Sequence, residues 1–217
     1  MATILMKLSE DRAVSQYDRW ISLLTLAQDR VLRAYIVENY LPNRGRILDV
    51  GCGTGKLLVE AGRRGFRGIG IDANKDMLAI ADARSKKHNL SKRLEFQHGD
   101  ATQLNFENET FTLVLSTLMI SELQSAELAK FLSEASRVSM PNALIVIGGE
   151  GVPRNRFVSF FFGLIRRISF SIVSRVSHVK PHPCHDIPQA MRSAGLSPMH
   201  RVSFLGGLLE LVIAEAK

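Results

Sequence analysis

The sequence predicts an α/β protein with a parallel sheet, and three observations predict it. Residues 46–149 alternate short β-rich runs with longer helical patterns, the signature of βαβ units. One hydrophobic run, Ile47-Leu48-Asp49-Val50, leads into glycines at alternate positions, Gly51, Gly53 and Gly55, which open a helix. The helical run 75–88 groups apolar Met77, Leu78, Ile80 and Ala81 against a charged opposite face, as a helix lying on a sheet requires.

Taken in order, residues 10–41 read as one or two amphipathic helices ending at Leu41-Pro42. Strands are expected at 46–50, 68–71, 94–97, 111–116 and 144–147, with helices at 56–64, 75–88 and 127–138. After Pro153 come a long helical candidate, a Pro/His-rich loop at 180–188, and a helix at 189–194. Two β-like runs near 199–204 and 208–214 close the chain. The 217 residues are one domain's worth, enough to bury a substantial core. Within that single domain we expect a helical lid at 10–41, a core at 45–150, a cap at 152–197 and terminal strands at 198–217.

Composition removes several classes. With 46% apolar and 23% charged residues, disordered, collagen-like and coiled-coil chains drop out. Two cysteines, Cys52 and Cys184, cannot build a disulfide framework, and their spacing fails the paired pattern of a structural zinc site. The N-terminal residues have no apolar stretch long enough for a secretory signal, so the expectation is a soluble cytoplasmic domain. Net charge is +7, and it is unevenly spread. Residues 1–150 carry 19 Lys and Arg against 18 Asp and Glu, whereas residues 151–201 carry eight basic residues against Asp186 alone. That segment should meet something anionic: a phosphate-bearing substrate, a lipid surface or a nucleic acid.

The glycine turn, Gly51-Cys52-Gly53-Thr54-Gly55-Lys56, carries the chemistry. Its backbone can approach a ligand where a Cβ would collide, and the helix behind it offers free N–H groups. Spacing separates the ligands that use such turns. A P-loop needs a hydroxyl after Gly-Lys, and Leu57 stands there; a dinucleotide fingerprint needs its third glycine one residue later than Gly55. Three further elements follow strands. Asp72 ends the second, 17 residues after Gly55; Asp100-Ala101 follows the third within His98-Gly99-Asp100-Ala101; Ser116-Thr117-Leu118 end the fourth.

Together these resemble the class I S-adenosylmethionine-dependent methyltransferases over residues 45–150, with Gly51–Gly55 as motif I. Within that superfamily the chain looks closest to the ubiquinone/menaquinone-biosynthesis methyltransferases. The likeness rests on Leu48-Asp49-Val50-Gly51-Cys52-Gly53-Thr54-Gly55, Tyr17-Asp18 and Gly206-Gly207. The resemblance implies a Rossmann-like, doubly wound three-layer sandwich with a seven-stranded, mostly parallel sheet and a reversed terminal hairpin. It implies S-adenosyl-L-methionine as cofactor. Asp72 would hold the ribose hydroxyls, Asp100 and Ala101 the adenine, and Ser116 and Thr117 the methionine part. Asp49, Gly51, Cys52, Gly53, Gly55, Ala73 and Met77 complete that cofactor-binding set. The alternative for Asp72 is a cap on the next helix, and for Cys52 a small packing residue.

Such a cofactor brings its own leaving group, so catalysis is mostly placement and exclusion of water, with a base needed only for a protonated nucleophile. Candidates for catalysis are Tyr17, Glu122 and His185, with Asp186 a further base candidate; Tyr17 and Trp20 suit a pocket lid. Ser116-Thr117-Leu118-Met119 lacks the Pro-Pro-aromatic cradle of the amine methyltransferases, which argues against DNA bases. Phe157, Phe160, Phe161, Leu164, Ile165, Ile168, Ile172, Val173 and Val176 form an apolar stripe at helical spacing, punctuated by arginines. Its longest uncharged run, 157–165, is nine residues, too short to cross a bilayer. The stripe suits a membrane interface or a greasy lid; the alternative is an ordinary core-facing helix. His178, His182, Cys184 and His185 are broken up by prolines, so no metal site is expected. The expected acceptor is an amphiphilic small molecule, a quinone-like ring or polar lipid, at the inner face of a membrane, with possible anionic-surface contact. A soluble metabolite is the alternative, and a nucleic-acid-binding module a weaker third.

Overall fold

The computed structural model describes residues 28–42, 45–151, 186–207 and 209–216. Helix α1 (Gln28–Asn39) leads to β1 (Arg46–Val50), α2 (Lys56–Arg63), β2 (Arg67–Asp72), α3 (Lys75–Lys87) and β3 (Leu94–His98). Then come β4 (Phe111–Thr117), a 3-10 turn (Ile120–Glu122), α4 (Ser125–Val138) and β5 (Ser139–Glu150). Helix α5 (Ile187–Ser193), β6 (Ser197–Phe204) and β7 (Leu209–Glu215) follow.

The described residues form one seven-stranded sheet in the order β3-β2-β1-β4-β5-β7-β6. Strands β1 to β5 pair in parallel, and β7 runs antiparallel to both β5 and β6. This is the expected mostly parallel sheet with its reversed terminal hairpin. Central strands covered on both faces are apolar almost throughout: β1 exposes only Arg46, and Leu113, Val114 and Leu115 of β4 are fully buried. One layer packs Leu32 and Ile36 of α1 and Leu57 and Leu58 of α2 against Ile47, Leu113 and Leu211. The other packs Leu128, Phe131 and Leu132 of α4 and Met191 of α5 against Leu48, Val114 and Ile147.

Local chemistry sets the boundaries. Asn74 caps α3, its Oδ1 accepting the Asp76 and Met77 amides at 2.9 and 3.0 Å. Helix α4 starts two residues before the expected 127 because Glu127 reaches back to accept the Gln124 amide at 2.7 Å. Strand β5 differs most from expectation. The expected strand covers 144–147, yet β5 begins at Ser139 and passes through an irregularity around Pro141, with Asn142 at φ 64°. A proline has no amide to donate to the ladder, so it is tolerated where pairing shifts register.

The order 2-1-4-5 reverses direction between β1 and β4. That is where an open α/β sheet leaves a crevice beyond its strand ends.

Candidate functional site

The crevice is built from backbone outward. Gly51 turns the chain off β1 at φ 71°, and a Cβ there would stand 2.5 Å from Cβ of Met119. Its amide and that of Cys52 both donate to the Ile71 carbonyl, at 2.7 and 3.0 Å, so the turn is tied to the end of β2. Gly53, at φ 53°, is the reverse case: a Cβ added there meets nothing within 4 Å. The open side of the turn is therefore at Gly53. Gly55 caps α2, and Arg84 of α3 donates to the Thr54 carbonyl, pinning the loop from behind. Cys52 packs its Sγ against Gly70, so the thiol fills space between β1 and β2 as its packing alternative requires.

Asp72 joins the two strand ends. Its Oδ2 accepts the Gly53 amide at 2.7 Å and its Oδ1 the Asn74 amide at 2.8 Å. The helix-cap alternative falls to Asn74 rather than Asp72. Burial pushes the Asp72 carboxyl up, the Asn74 and Gly53 amides pull it down, and Glu122 pushes it up again. Glu122, at the end of the 3-10 turn after β4, thus lies within electrostatic reach of Asp72.

Asp49 is the most unusual group. It is 1% exposed on a central strand, and its Oδ1 has no hydrogen-bond partner. Burial, then the neighbouring Asp72 carboxylate, push its carboxyl up to about 7 against the pull of Arg33. Burial, then Asp49 and Asp72, also push the Cys52 thiol up. Arg33 comes from α1, where it is held at 2.9 Å by the buried Asp29 one turn earlier. Sequence reading missed both residues. The i, i+4 acid–base spacing in an otherwise amphipathic helix was the available signal, and many solvated helix faces share it.

The remaining expected residues line the same edge. Asp100, exposed after β3, accepts the Thr102 amide at 2.8 Å on Oδ1, while no partner meets its Oδ2 among the described residues. Ala101 follows it, half-buried; Met77 is buried in the first turn of α3, and Ala73 is exposed just past β2. Ser116 is fully buried with an unpartnered Oγ, and Thr117 ends β4. Leu118 then takes φ 64°, a costly conformation for a branched side chain, with its amide held by the Gly148 carbonyl at 2.8 Å. Nothing in the sequence signals that strain.

Asp186 caps α5, its Oδ1 accepting the Gln189 amide at 3.0 Å, which is a structural use of a residue considered as a base. Tyr17, Trp20, His185, the stripe at 157–176 and the histidine loop lie outside the described residues. Among the described residues no helix is long and apolar enough to cross a membrane, and no three His, Cys, Asp or Glu side chains gather as a metal would need.

The donor set suits a cation flanked by hydroxyls. Asp49 and Asp72 flank a glycine turn that is open at Gly53, Glu122 lies within electrostatic reach of Asp72, and the buried Asp49 Oδ1 and Ser116 Oγ have no hydrogen-bond partner among the described residues. S-Adenosylmethionine, a sulfonium bearing a ribose, fits that arrangement.

Comparison with known proteins points the same way. Residues 47–142 match a methyltransferase domain family. The demethylmenaquinone methyltransferase of Clavibacter sepedonicus is 31% identical over 169 residues, which cover 77% of this chain and 67% of that protein. The ubiquinone/menaquinone biosynthesis C-methyltransferase UbiE of Rhodopseudomonas palustris is 26% identical, covering 90% of this chain and 85% of that one. Against the demethylmenaquinone enzymes the chain thus spans only about two thirds of their length. Among solved structures, a SAM-dependent methyltransferase from Methanosarcina mazei superposes with a TM-score of 0.64 at 20% identity, covering 83% of this chain and 96% of that one.

Proposed function

Because the chain belongs to the class I S-adenosylmethionine-dependent methyltransferases, close to those of menaquinone and ubiquinone biosynthesis, we propose that it methylates a quinone-like ring on an amphiphilic acceptor. The observation that carries the site is the closure of β1 on β2 through Gly53 and Asp72, with the buried Asp49 carboxyl, whose Oδ1 has no hydrogen-bond partner among the described residues, on the adjoining strand.

When bound, the cofactor supplies an electrophilic methyl on a sulfonium. The chain's own residues then have three tasks. Asp72 accepts the ribose hydroxyls with the lone pairs left beside its two amide bonds, and the turn at Gly53 lets the backbone approach without a Cβ in the way. Asp49 when ionised, and Glu122, would supply negative charge that favours a bound sulfonium. Asp100 and Ala101 border the adenine, and the constrained Leu118 backbone borders the methionine part. Glu122, on the turn after β4 and within electrostatic reach of Asp72, would take a proton from an acidic acceptor such as a hydroquinone carbon or phenol.

The acceptor class draws on the quinone-biosynthesis relatives and on the basic, phenylalanine-rich stretch at 157–176, which suits an amphiphile presented at a membrane surface. The test pairs calorimetric titration of S-adenosylhomocysteine with transfer of labelled methyl to a demethylated short-chain quinol, with and without anionic liposomes. Micromolar binding with liposome-stimulated transfer supports the reading. Binding without transfer to quinols moves the acceptor to another class; transfer indifferent to liposomes places it in solution; no binding overturns the cofactor site.

A further inference from the structure

The charges of the core are sorted to opposite edges of the sheet. Arg46 opens β1, Arg67 opens β2, and Lys92-Arg93 immediately precede β3, while Asp49, Asp72 and Asp100 stand toward the other ends. Residues 1–150 are nearly neutral in sum, with 19 basic against 18 acidic, so this sorting is not a by-product of the chain's overall charge.

At the basic edge the cations are neighbours. Arg46 pairs with Arg67 in the parallel register, and the Arg93 carbonyl accepts the Gly68 amide at 3.1 Å, which puts Arg93 next to Arg67 on the other side. With strands about 4.8 Å apart, three arginines form a row about 10 Å long. All are exposed, as is Lys92, and the four line a cavity of about 360 Å³ together with Ser91 and Glu95.

Among the described residues no acid forms an ion pair with the row. Arg93 donates to the Gly65 carbonyl at 2.6 Å, and Arg46 lies 5.6 Å from the Phe111 ring centroid. Neither contact involves an acid. Arg67 and Lys92 make no hydrogen bond or ion pair among the described residues, and the Glu95 carboxylate, which also lines the cavity, accepts from the neutral Gln97 amide at 2.8 Å without bonding any of the four cations. Like charges side by side on neighbouring strands destabilise a sheet.

We propose that this cavity is a second binding site, for a small molecule carrying a diphosphate or longer phosphate chain. A guanidinium presents a planar fork to phosphate oxygens, so a row of three favours an anion with several adjacent phosphates over a single one. The volume falls within the about 300–1,000 Å³ typical of small-ligand sites. Strand β1 separates this edge from the glycine turn by about 16 Å, so one small ligand does not bridge the two.

Inorganic pyrophosphate titrated into the full chain, followed by calorimetry and by amide shifts at Gly68 and Arg93, tests it. The expected result is saturable binding, weakened about tenfold or more in Arg67→Gln and in Lys92→Gln, and about tenfold weaker for inorganic phosphate. Both variants keep wild-type affinity for S-adenosylhomocysteine, because neither touches that edge, and this also reports that they fold. Three results would overturn the proposal: no saturable binding at about 10 mM pyrophosphate in low salt, equal binding by both variants, or binding only to vesicles of anionic phospholipid. The last would make the row a membrane contact.

Discussion

The Gly53 amide donates to Oδ2 of Asp72 at 2.7 Å, closing the tip of β1 on the tip of β2 across 19 positions of chain. That bond uses one side of the Asp72 carboxylate and orients the rest outward. Asp72→Ala removes it together with the Asn74 contact. We expect S-adenosylhomocysteine affinity to fall about 10- to 100-fold, the worth of hydrogen bonds to a charged acceptor. Titration calorimetry reads this; an affinity within about threefold of wild type removes Asp72 from the site.

The two glycines of the turn should fail in different ways. Gly51→Ala drives a Cβ to within 2.5 Å of Met119 at φ 71°, adding overpacking to the left-handed penalty, a loss of about 2–5 kcal/mol. Gly53→Ala meets no neighbour, so only the backbone penalty of about 1–2 kcal/mol applies, near 2–8 °C in Tm. Its cofactor affinity should nonetheless collapse, because the added methyl stands where the ligand approaches. Scanning calorimetry and titration of both variants separate the effects; a Gly53→Ala protein with normal affinity would refute the approach.

Asp49 gives a pH dependence with a definite sign. In the folded state its carboxyl holds a proton to about 7, and in the unfolded chain it releases it near the ordinary 3.8. Between those values the folded state binds more protons, so stability falls as pH rises from about 4 to about 7 and levels off above. Asp72, also raised, adds in the same direction, while Arg33 opposes the shift at Asp49 and the Asn74 and Gly53 amides oppose it at Asp72. Asp49→Asn should flatten the fall and leave the cofactor-free protein more stable at alkaline pH. A positive sulfonium favours the ionised carboxyl, so cofactor affinity should climb through neutrality in the wild type and not in the variant. Thermal melts and titrations across pH 5–9 would show a flat wild-type profile if Asp49 ionises normally.

Arg137 of α4 ties the loop beyond Asp100 to the helix layer. Its guanidinium donates to the Leu104 and Phe106 carbonyls at 2.8 and 2.7 Å and to Glu134 at 2.7 Å, while Glu134 accepts the Leu104 amide at 2.8 Å. Arg137→Ala should cost about 2–4 kcal/mol, discounted from a fully buried network because both side chains are part-exposed. Arg137→Lys should rescue little, since an ammonium cannot span two carbonyls and a carboxylate. Hydrogen exchange should quicken in residues 100–108; unchanged exchange there would make the pair ornamental to the loop.

Much of this molecule is local in origin. The alternation of apolar runs and helical patterns sets the parallel core, because a strand covered on both faces must be apolar throughout and a covering helix must be so on one side. The glycine turn is equally local: its spacing follows from backbone angles within six residues, and Asp72 and Asp100 follow strands whose ends the same pattern marks. The start of β5 escapes such reading. Pro141 and Asn142 are turn residues by local preference, and they are carried within the strand as an irregularity between the Phe111–Ser139 and Leu113–Leu144 pairs, with the Asn142 amide held by the Ala216 carbonyl.

The charge state of Asp49 and the contribution of Arg33 were likewise decided by the tertiary structure. An aspartate in Leu-Asp-Val carries no sign that its carboxyl will be left dry and unpartnered, since desolvation is a property of everything packed around it. Arg33, 16 positions earlier, reaches it only because α1 lies over the same face of the sheet. The row of Arg46, Arg67 and Arg93 has the same origin. In the sequence these are three scattered surface cations; parallel register, which forces equivalent strand positions side by side about 4.8 Å apart, turns them into one field. The sequence by itself determined which elements form and where the backbone must bend, because those depend on near neighbours. Burial and the meeting of distant charges belonged to the fold, because both depend on what packing brings together.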